Sequence, residues 1–289
     1  MDWTSSIQNA INYIEEHIDG KIDYDEAARA AACSKFYLQK IFSILCSMTL
    51  GDYIRSRRLT LAGNELNATD AKVIDIALKY GYESPESFAR AFSKFHGITP
   101  SEAKRDGSKL KSFSRISVKI ILSGGSIMNY KIVEMDAFYI IEKVETHSIE
   151  NSENAKSIPE FWTRAKYDGT VKKLLDITSD KTYIFGICYG NQPKNSTTFD
   201  YSIAAKCAEN TAVPEGFRKS TIHAKTWAVF ECRGAMPEAI QEMWQKIVSE
   251  FFPSAAYKPT FEMDIEAYTE GEMASPDYRS EIWVPIIKR

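Results

Sequence analysis

Residues 81–100 read GYESPESFARAFSKFHGITP, and their punctuation decides the fold of the first hundred residues. Gly81 supplies a turn, Ser84 stands where a helix needs a cap, and Pro85 falls in the first turn, where its missing N–H removes no bond. A Gly-Ile-Thr-Pro run then stops the helix. Between these marks Phe88, Ala91, Phe92 and Phe95 share one face at helical spacing, while Glu86, Ala89, Arg90 and Lys94 lie away from it.

The stretch is the second copy of a repeat. Shifted by 50 positions, the chain aligns Ala27 on Ala77, Ser34 on Ser84, Leu38 on Phe88, Lys40 on Arg90, Phe42 on Phe92 and Thr49 on Thr99. Each copy opens with a short helix, Tyr24 to Ala31 and Ala71 to Tyr80, breaks, and restarts after its serine. In the first copy Leu38, Ile41, Phe42 and Leu45 are expected inward, and Lys35, Phe36, Gln39 and Lys40 outward. A short helix, a tight turn and a second helix with an exposed basic, amide-bearing face form a helix-turn-helix, whose second helix fits the major groove. Glutamine pairs with adenine edges there, and lysine or arginine with guanine edges. Between the copies, Gly51 to Leu66 reads as a helix carrying Arg55, Arg57 and Arg58. At 1.5 Å per residue it would span about 24 Å, which lets one chain present two reading helices roughly one DNA turn, about 34 Å, apart.

The runs CSKFYLQKIFSILCSMTLGDYIRSRRL and IDIALKYGYESPESFARAFSKFHGITPSEAKR resemble the DNA-binding domain of the AraC/XylS family of transcription regulators. That resemblance implies base-reading positions at Phe36, Gln39 and Lys40 in the first copy, with Lys35 beside them, and at Glu86, Ser87 and Arg90 in the second. The arginine-rich start of the helix between the copies, Arg55, Arg57 and Arg58, together with Lys94, Lys104 and Arg105, is expected to hold the phosphate backbone. The acidic Glu86 and small Ala89 make the second helix the poorer reader.

A different composition follows. Residues 1–127 carry 17 Lys+Arg against 15 Asp+Glu, and residues 128–289 carry 19 against 24. The mild basic excess belongs with the helical part and the acidic excess with a second domain. The expected division is a DNA-binding domain at 1–110, a linker at 111–127 containing Ser-Gly-Gly-Ser at 123–126, and a second domain at 128–289. Alternating aromatic and β-branched runs predict strands at 130–146, 182–189, 198–206, 261–268 and 278–285, and a strand or hairpin at 218–232. Helices are expected from Ile158 to Tyr167, through Lys172 and Leu175, and from Pro237 to Phe251. The whole is therefore α+β, an all-α double helix-turn-helix followed by a duplicated β-α-β-β antiparallel sheet with its helices on one face.

The second half resembles the GyrI-like effector-binding domain, most clearly in the strand Phe261 to Tyr268 and in Tyr278-x-x-Glu281-Ile-Trp283-x-Pro285. The resemblance implies a cleft for small organic ligands, often hydrophobic cations, held by a carboxylate and aromatic walls. A buried glutamate needs a paired cation, and an aromatic face attracts the same charge. Glu281 is the first choice of anchor and Glu266 the second, with Trp283, Tyr268, Trp162 and Phe161 as walls. Trp162 and Trp244 occupy corresponding helices of the two halves.

Five cysteines without a C-x-x-C pair fit free thiols in a reducing compartment. The four histidines are dispersed, and no metal or cofactor is expected. No long apolar run or leader is present, so the expected location is cytoplasmic, with no membrane partner. The partners expected are double-stranded promoter DNA, a small organic ligand and RNA polymerase. The expected role is regulatory and not enzymatic. Two alternatives stay open: a GyrI-like hydrolase using Glu281 or Glu266 as a general base, and a protein-binding module carried by a DNA-targeting head.

Overall fold

Four side-chain caps recur at the repeat spacing. Ser34 Oγ accepts from the Tyr37 amide at 3.3 Å and Ser84 Oγ from the Ser87 amide at 3.2 Å, while Thr49 and Thr99 accept from Asp52 and Glu102. Each satisfies one of the orphan donors at a helix start. The ends match as well: Ser47, at φ 51°, and Gly97, at φ 84°, both close their helices in the left-handed region. That conformation suits glycine and strains serine mildly.

The computed structural model describes residues 3–105, 107–118, 127–149, 153–178, 183–190 and 196–289. The Ser-Gly-Gly-Ser of the expected linker and the first position of the 182–189 strand lie outside these residues. Contacts divide the chain into two units, Met1–Leu38 with Cys46–Ile120, and Gln39–Leu45 with Ile121–Arg289. No helix among the described residues is long and apolar enough to cross a membrane.

The helical part runs α1 (Trp3–Glu16), α2 (Tyr24–Ala30), α3 (Lys35–Cys46), α4 (Leu50–Ala68), α5 (Val73–Lys79), α6 (Pro85–His96) and α7 (Pro100–Ala103). The central residues of α3, Gln39–Leu45, group with the second unit. Leu59, Ala62 and Leu66 of α4 pack with Ile76 and Ala77 of α5, Phe88 and Phe92 of α6 and Ala103 of α7 in one buried cluster. The inward stripe expected for α6 is thus its core face. α1 is pinned by charge: Arg57 Nε and Nη2 each donate to a Glu15 carboxylate oxygen at 2.9 Å, Tyr53 donates to the same carboxylate, and Arg57 Nη1 donates to Phe113 O.

The second unit is built on one sheet. Its elements are β1 (Tyr130–Met135), β2 (Phe138–Ser148), α8 (Asn154–Tyr167), α9 (Thr170–Ile177), β3 (Ile184–Tyr189), β4 (Thr198–Cys207), β5 (Arg218–Ile222) and β6 (Lys225–Arg233). Then follow α10 (Glu238–Lys246), a π-helical turn (Ile247–Phe251), β7 (Tyr257–Pro259), β8 (Met263–Tyr268) and β9 (Arg279–Lys288). The strand order is β1-β6-β9-β8-β3-β4-β2-β5, with β7 paired to β9, and every pairing is antiparallel. Exchanging the halves reverses this order onto itself, so the duplication expected from the sequence is a two-fold repeat in the sheet. Each half gives its first strand to the other: β1 pairs with β6 and β5 with β2. The expected single strand 130–146 is therefore two strands, which separate at Asp136 and Ala137.

Paired residues of an antiparallel ladder share a face, so register sorts the side chains. One face gathers Ile140, Phe185, Ile187, Trp227, Val229, Ile265 and Trp283 into an apolar core. Glu142 lies on it too, fully buried, receiving bonds from Ser220 Oγ at 2.5 Å, Tyr189 OH at 2.6 Å and Arg218 Nε at 2.8 Å. The opposite face carries Tyr201, Asp264, Glu266 and Tyr268, and both Trp162 of α8 and Trp244 of α10 reach it. Helices on one face, as the sequence pattern predicts, is what the structure has.

Candidate functional site

The DNA-reading candidates of α6 stand in the open. Glu86, Arg90 and Lys94 are exposed at spacings of one helical turn, while Phe88 and Phe92 hold the other face in the core. Ser87 is engaged in the cap, its hydroxyl donating to Ser84 O at 2.8 Å. Arg55 is exposed and pairs with Asp52 at 2.8 Å. Of the other α4 arginines, Arg57 is taken up by Glu15, and Arg58 donates to Ile18 O and Gly20 O. These two hold the α1 region, and the arginine-rich start of α4 offers Arg55 alone as an open cation.

The face expected to be outward on α3 differs from this. Phe36 is buried, with an edge-to-face contact to Tyr37 at 5.3 Å. Lys35 is half-buried, its ammonium 5.8 Å from the Tyr24 ring, and Gln39 is half-buried. Lys40 is half-buried as well. Expectation had these four side chains projecting into solvent.

The helix-covered face of the sheet holds a seat of distinct chemistry. Asp264 and Glu266 are two apart on β8 and so project from one face, paired across the ladder with Cys188 and Gly186 of β3. Glu266 Oε1 accepts from Trp244 Nε1 at 2.9 Å and Oε2 from Tyr268 OH at 2.7 Å. Trp162 Nε1 donates to Tyr201 OH at 2.9 Å, and its ring meets that of Tyr268 edge-on at 5.2 Å. Two indoles from corresponding helices, two tyrosines and two carboxylates thus converge. Gly186 makes this possible, because a Cβ there would collide with the Tyr201 hydroxyl and crowd Trp162.

Electrostatics in the seat favour a cation. Burial pushes the Tyr201 and Tyr268 hydroxyls well above their ordinary range, and the Glu266 charge adds to it, so both stay protonated donors. The Cys188 thiol is raised by burial and stays neutral.

Of the residues expected to line the ligand site, the structure brings together Glu266, Tyr268 and Trp162. Phe161 lies one layer back, buried under α8 against His147 and Tyr201. Glu281 and Trp283 are on the other face of the sheet. Glu281 Oε2 accepts from Trp283 Nε1 at 2.7 Å and Oε1 faces Lys131 at 3.4 Å, while the Trp283 ring packs on Phe185 and Trp227 in the core. Glu281, the first choice of anchor, therefore lies apart from the indole pair, and Glu266, the second, lies beside it with Asp264. Sequence reasoning missed Asp264, Tyr201 and the donor role of Trp244. The alternation in MDIEAY held the signal for the first, since positions 264, 266 and 268 share a face whenever that run is a strand.

Residues 131–286 match the family described as integron-associated effector binding protein, Cass2, and residues 27–106 match a helix-turn-helix domain family. The regulatory protein SoxS of Escherichia coli K12 is 45% identical over 96 residues, which are 33% of this chain and 90% of that protein. The transcriptional activator AarP of Providencia stuartii is 40% identical over 98 residues, 34% of this chain and 73% of that protein. Among solved structures, SAV2435 bound to tetraphenylphosphonium is 24% identical, covers 55% of this chain and 94% of its own, and superposes with a TM-score of 0.49. The chain belongs to the AraC-type helix-turn-helix DNA-binding transcription regulators, and its larger part is an effector-binding domain of the Cass2 and GyrI-like kind.

Proposed function

We propose that the chain is a one-component regulator whose effector is a bulky aromatic or otherwise hydrophobic cation, received by the Asp264–Glu266 seat. The observation that carries this reading is the convergence of Glu266 and Asp264 of β8 with the Trp162 and Trp244 indoles and the Tyr201 and Tyr268 phenols. Such a site has a carboxylate for charge and indole and phenol faces for apolar bulk. The DNA-facing part of the reading assigns base contacts to Gln39, Lys40, Glu86 and Arg90, with Arg55 and Lys94 on phosphates. Activation, with RNA polymerase as protein partner, is the direction we propose, in line with the activator role in the name of AarP. An effector changes promoter output only if it binds two states of the protein unequally.

Titration of the full chain with tetraphenylphosphonium, and separately with the neutral triphenylphosphine oxide, tests the effector reading by equilibrium dialysis. Saturable binding of the cation, at least tenfold tighter than the neutral compound, is expected. Equal affinity for the two would reject it. Selection of bound duplexes from a random pool tests the DNA reading, which fails if no sequence is enriched.

A further inference from the structure

Two neighbouring arginines of α4 keep different company. Arg57 is neutralised by the Glu15 carboxylate, which takes two of its nitrogens. Arg58 pairs with no carboxylate among the described residues: Nε donates to Ile18 O at 2.9 Å and Nη2 to Gly20 O at 2.6 Å, and both acceptors are neutral. An arginine stays charged whatever surrounds it. This half-buried guanidinium therefore has carbonyl dipoles for partners and no counter-charge in contact. It lines a pocket of about 590 Å³, a size in the range of small-ligand sites.

Every residue lining that pocket belongs to the helical unit. The connection from α1 into α2 gives Lys21, Ile22 and Tyr24, α4 gives Ile54 and Arg58, and the end of α5 gives Leu78 with the turn at Gly81. Gly81, at φ 79°, is required by the arrangement, because a Cβ there would come within 2.6 Å of Arg58 Nη1. Cations outnumber the single acid of the lining, Asp19, which acts on Arg58 through space without a hydrogen bond to it. A third cation, Lys79, is committed to Glu65 at 2.8 Å.

We propose that this pocket is a binding site for a small organic anion, a monocarboxylate with an aromatic or aliphatic body, and that Arg58 is its charge partner. Nη1 makes no hydrogen bond among the described residues. A carboxylate placed there supplies the counter-charge that carbonyls cannot, with the charge-assisted bonds that arginine forms best. The apolar body then covers Ile22, Ile54 and Leu78, the last of which is 59% exposed. The site is opposite in sign to the Asp264–Glu266 seat and uses no residue of the second unit. Its walls come from the start of the first helix-turn-helix copy, from the turn of the second and from α4 between them, so an occupant braces the segments that hold both reading helices.

The test is binding of naphthoate to the full chain by equilibrium dialysis, with neutral naphthamide alongside, in the natural sequence, Arg58→Gln, Leu78→Glu and Leu78→Lys. The acid is expected to bind saturably, at least about tenfold tighter than the amide, a difference of about 1.4 kcal/mol. Arg58→Gln should lose at least about tenfold in affinity for the acid. That variant also gives up the Ile18 and Gly20 contacts, so the exposed position 78 supplies an independent check on a folded chain. Leu78→Glu sets an anion at the mouth of the pocket and should weaken the acid at least about tenfold, while Leu78→Lys should leave it within about threefold. The backbone amide NMR signals of Lys21 and Gly81 should shift with the midpoint found by dialysis. Equal affinity for acid and amide, equal effects of the two Leu78 variants, or saturable binding that leaves both signals unmoved overturns the proposal. So does the absence of saturable binding.

Discussion

Replacing Glu266 by Gln removes one negative charge from the seat at almost constant volume, and its consequences can be worked separately for ligand and for fold. A cation centred about 5 Å from the carboxylate, in surroundings of effective dielectric about 20, gains about 3 kcal/mol from it. Asp264 remains two residues away on the same face of β8, so the net change is smaller. The expected outcome is about a tenfold loss of tetraphenylphosphonium affinity, near 1.4 kcal/mol, with triphenylphosphine oxide affected less than about threefold. The fold responds through different bonds. Glu266 accepts from both Trp244 Nε1 and Tyr268 OH, and the amide keeps one oxygen while turning NH₂ toward the other donor. One charged hydrogen bond is lost, a cost of about 1.5–3 kcal/mol in urea unfolding. Fluorescence titration through Trp162 and Trp244 reads the first effect and circular dichroism the second. Cation affinity within twofold of the natural chain, in a folded Glu266→Gln variant, would refute the assignment of Glu266 to the effector site.

Four further outcomes are expected. Gly186→Ala places a methyl against the Tyr201 hydroxyl and Trp162, so it should weaken the cation at least tenfold, whereas Gly216→Ala, remote from the seat, should leave cation affinity unaltered. Arg90→Ala should weaken a selected DNA site by about 1–3 kcal/mol and relax preference at one base pair if Arg90 reads an edge; uniform weakening with a shallower salt slope in filter binding would assign it to phosphate. Glu15→Gln unpairs Arg57, whose side chain is 13% exposed, and about 2–3 kcal/mol of stability of the helical part should disappear in urea, below the cost of a fully buried pair. For Glu142, burial works to raise the carboxyl, but donation from Ser220, Tyr189 and Arg218 outweighs it and leaves it lowered. A lowered folded-state value contributes stability above the ordinary carboxylate range, about pH 4.3, that is lost as pH falls through the folded value. Thermal melts from pH 6 to pH 3 should therefore fall less steeply for Glu142→Gln, and parallel curves would contradict the linkage.

The helical half was legible because its signals are local. Caps, left-handed stops and apolar stripes act within four residues of themselves, and a repeat of 50 prints each of them twice, at Ser34 and Ser84, Thr49 and Thr99, Ser47 and Gly97. The sheet was legible in its elements and opaque in its pairing. Nothing in YKIVEMDAFYIIEKVET says that its first six residues join a strand nearly a hundred positions away, since Tyr130 pairs with Phe230. Strand exchange between halves is decided by the closure of the whole sheet, and only the duplication itself, which demands a symmetrical solution, hinted at it.

Sequence alternation alone leaves Glu281 and Glu266 equivalent as anchors, for a reason that lies in burial. Alternation correctly joins Glu281 to Trp283, and the indole does donate to that carboxylate at 2.7 Å. What alternation cannot supply is which of two faces the helices cover, because β9 is buried on both sides over Ile282–Ile286. A strand with water on one side announces its inner face, whereas a strand buried on both leaves the two parities equivalent. The tie is broken by residues on other elements: Trp162 and Trp244 reach only the parity of Tyr201, Glu266 and Tyr268.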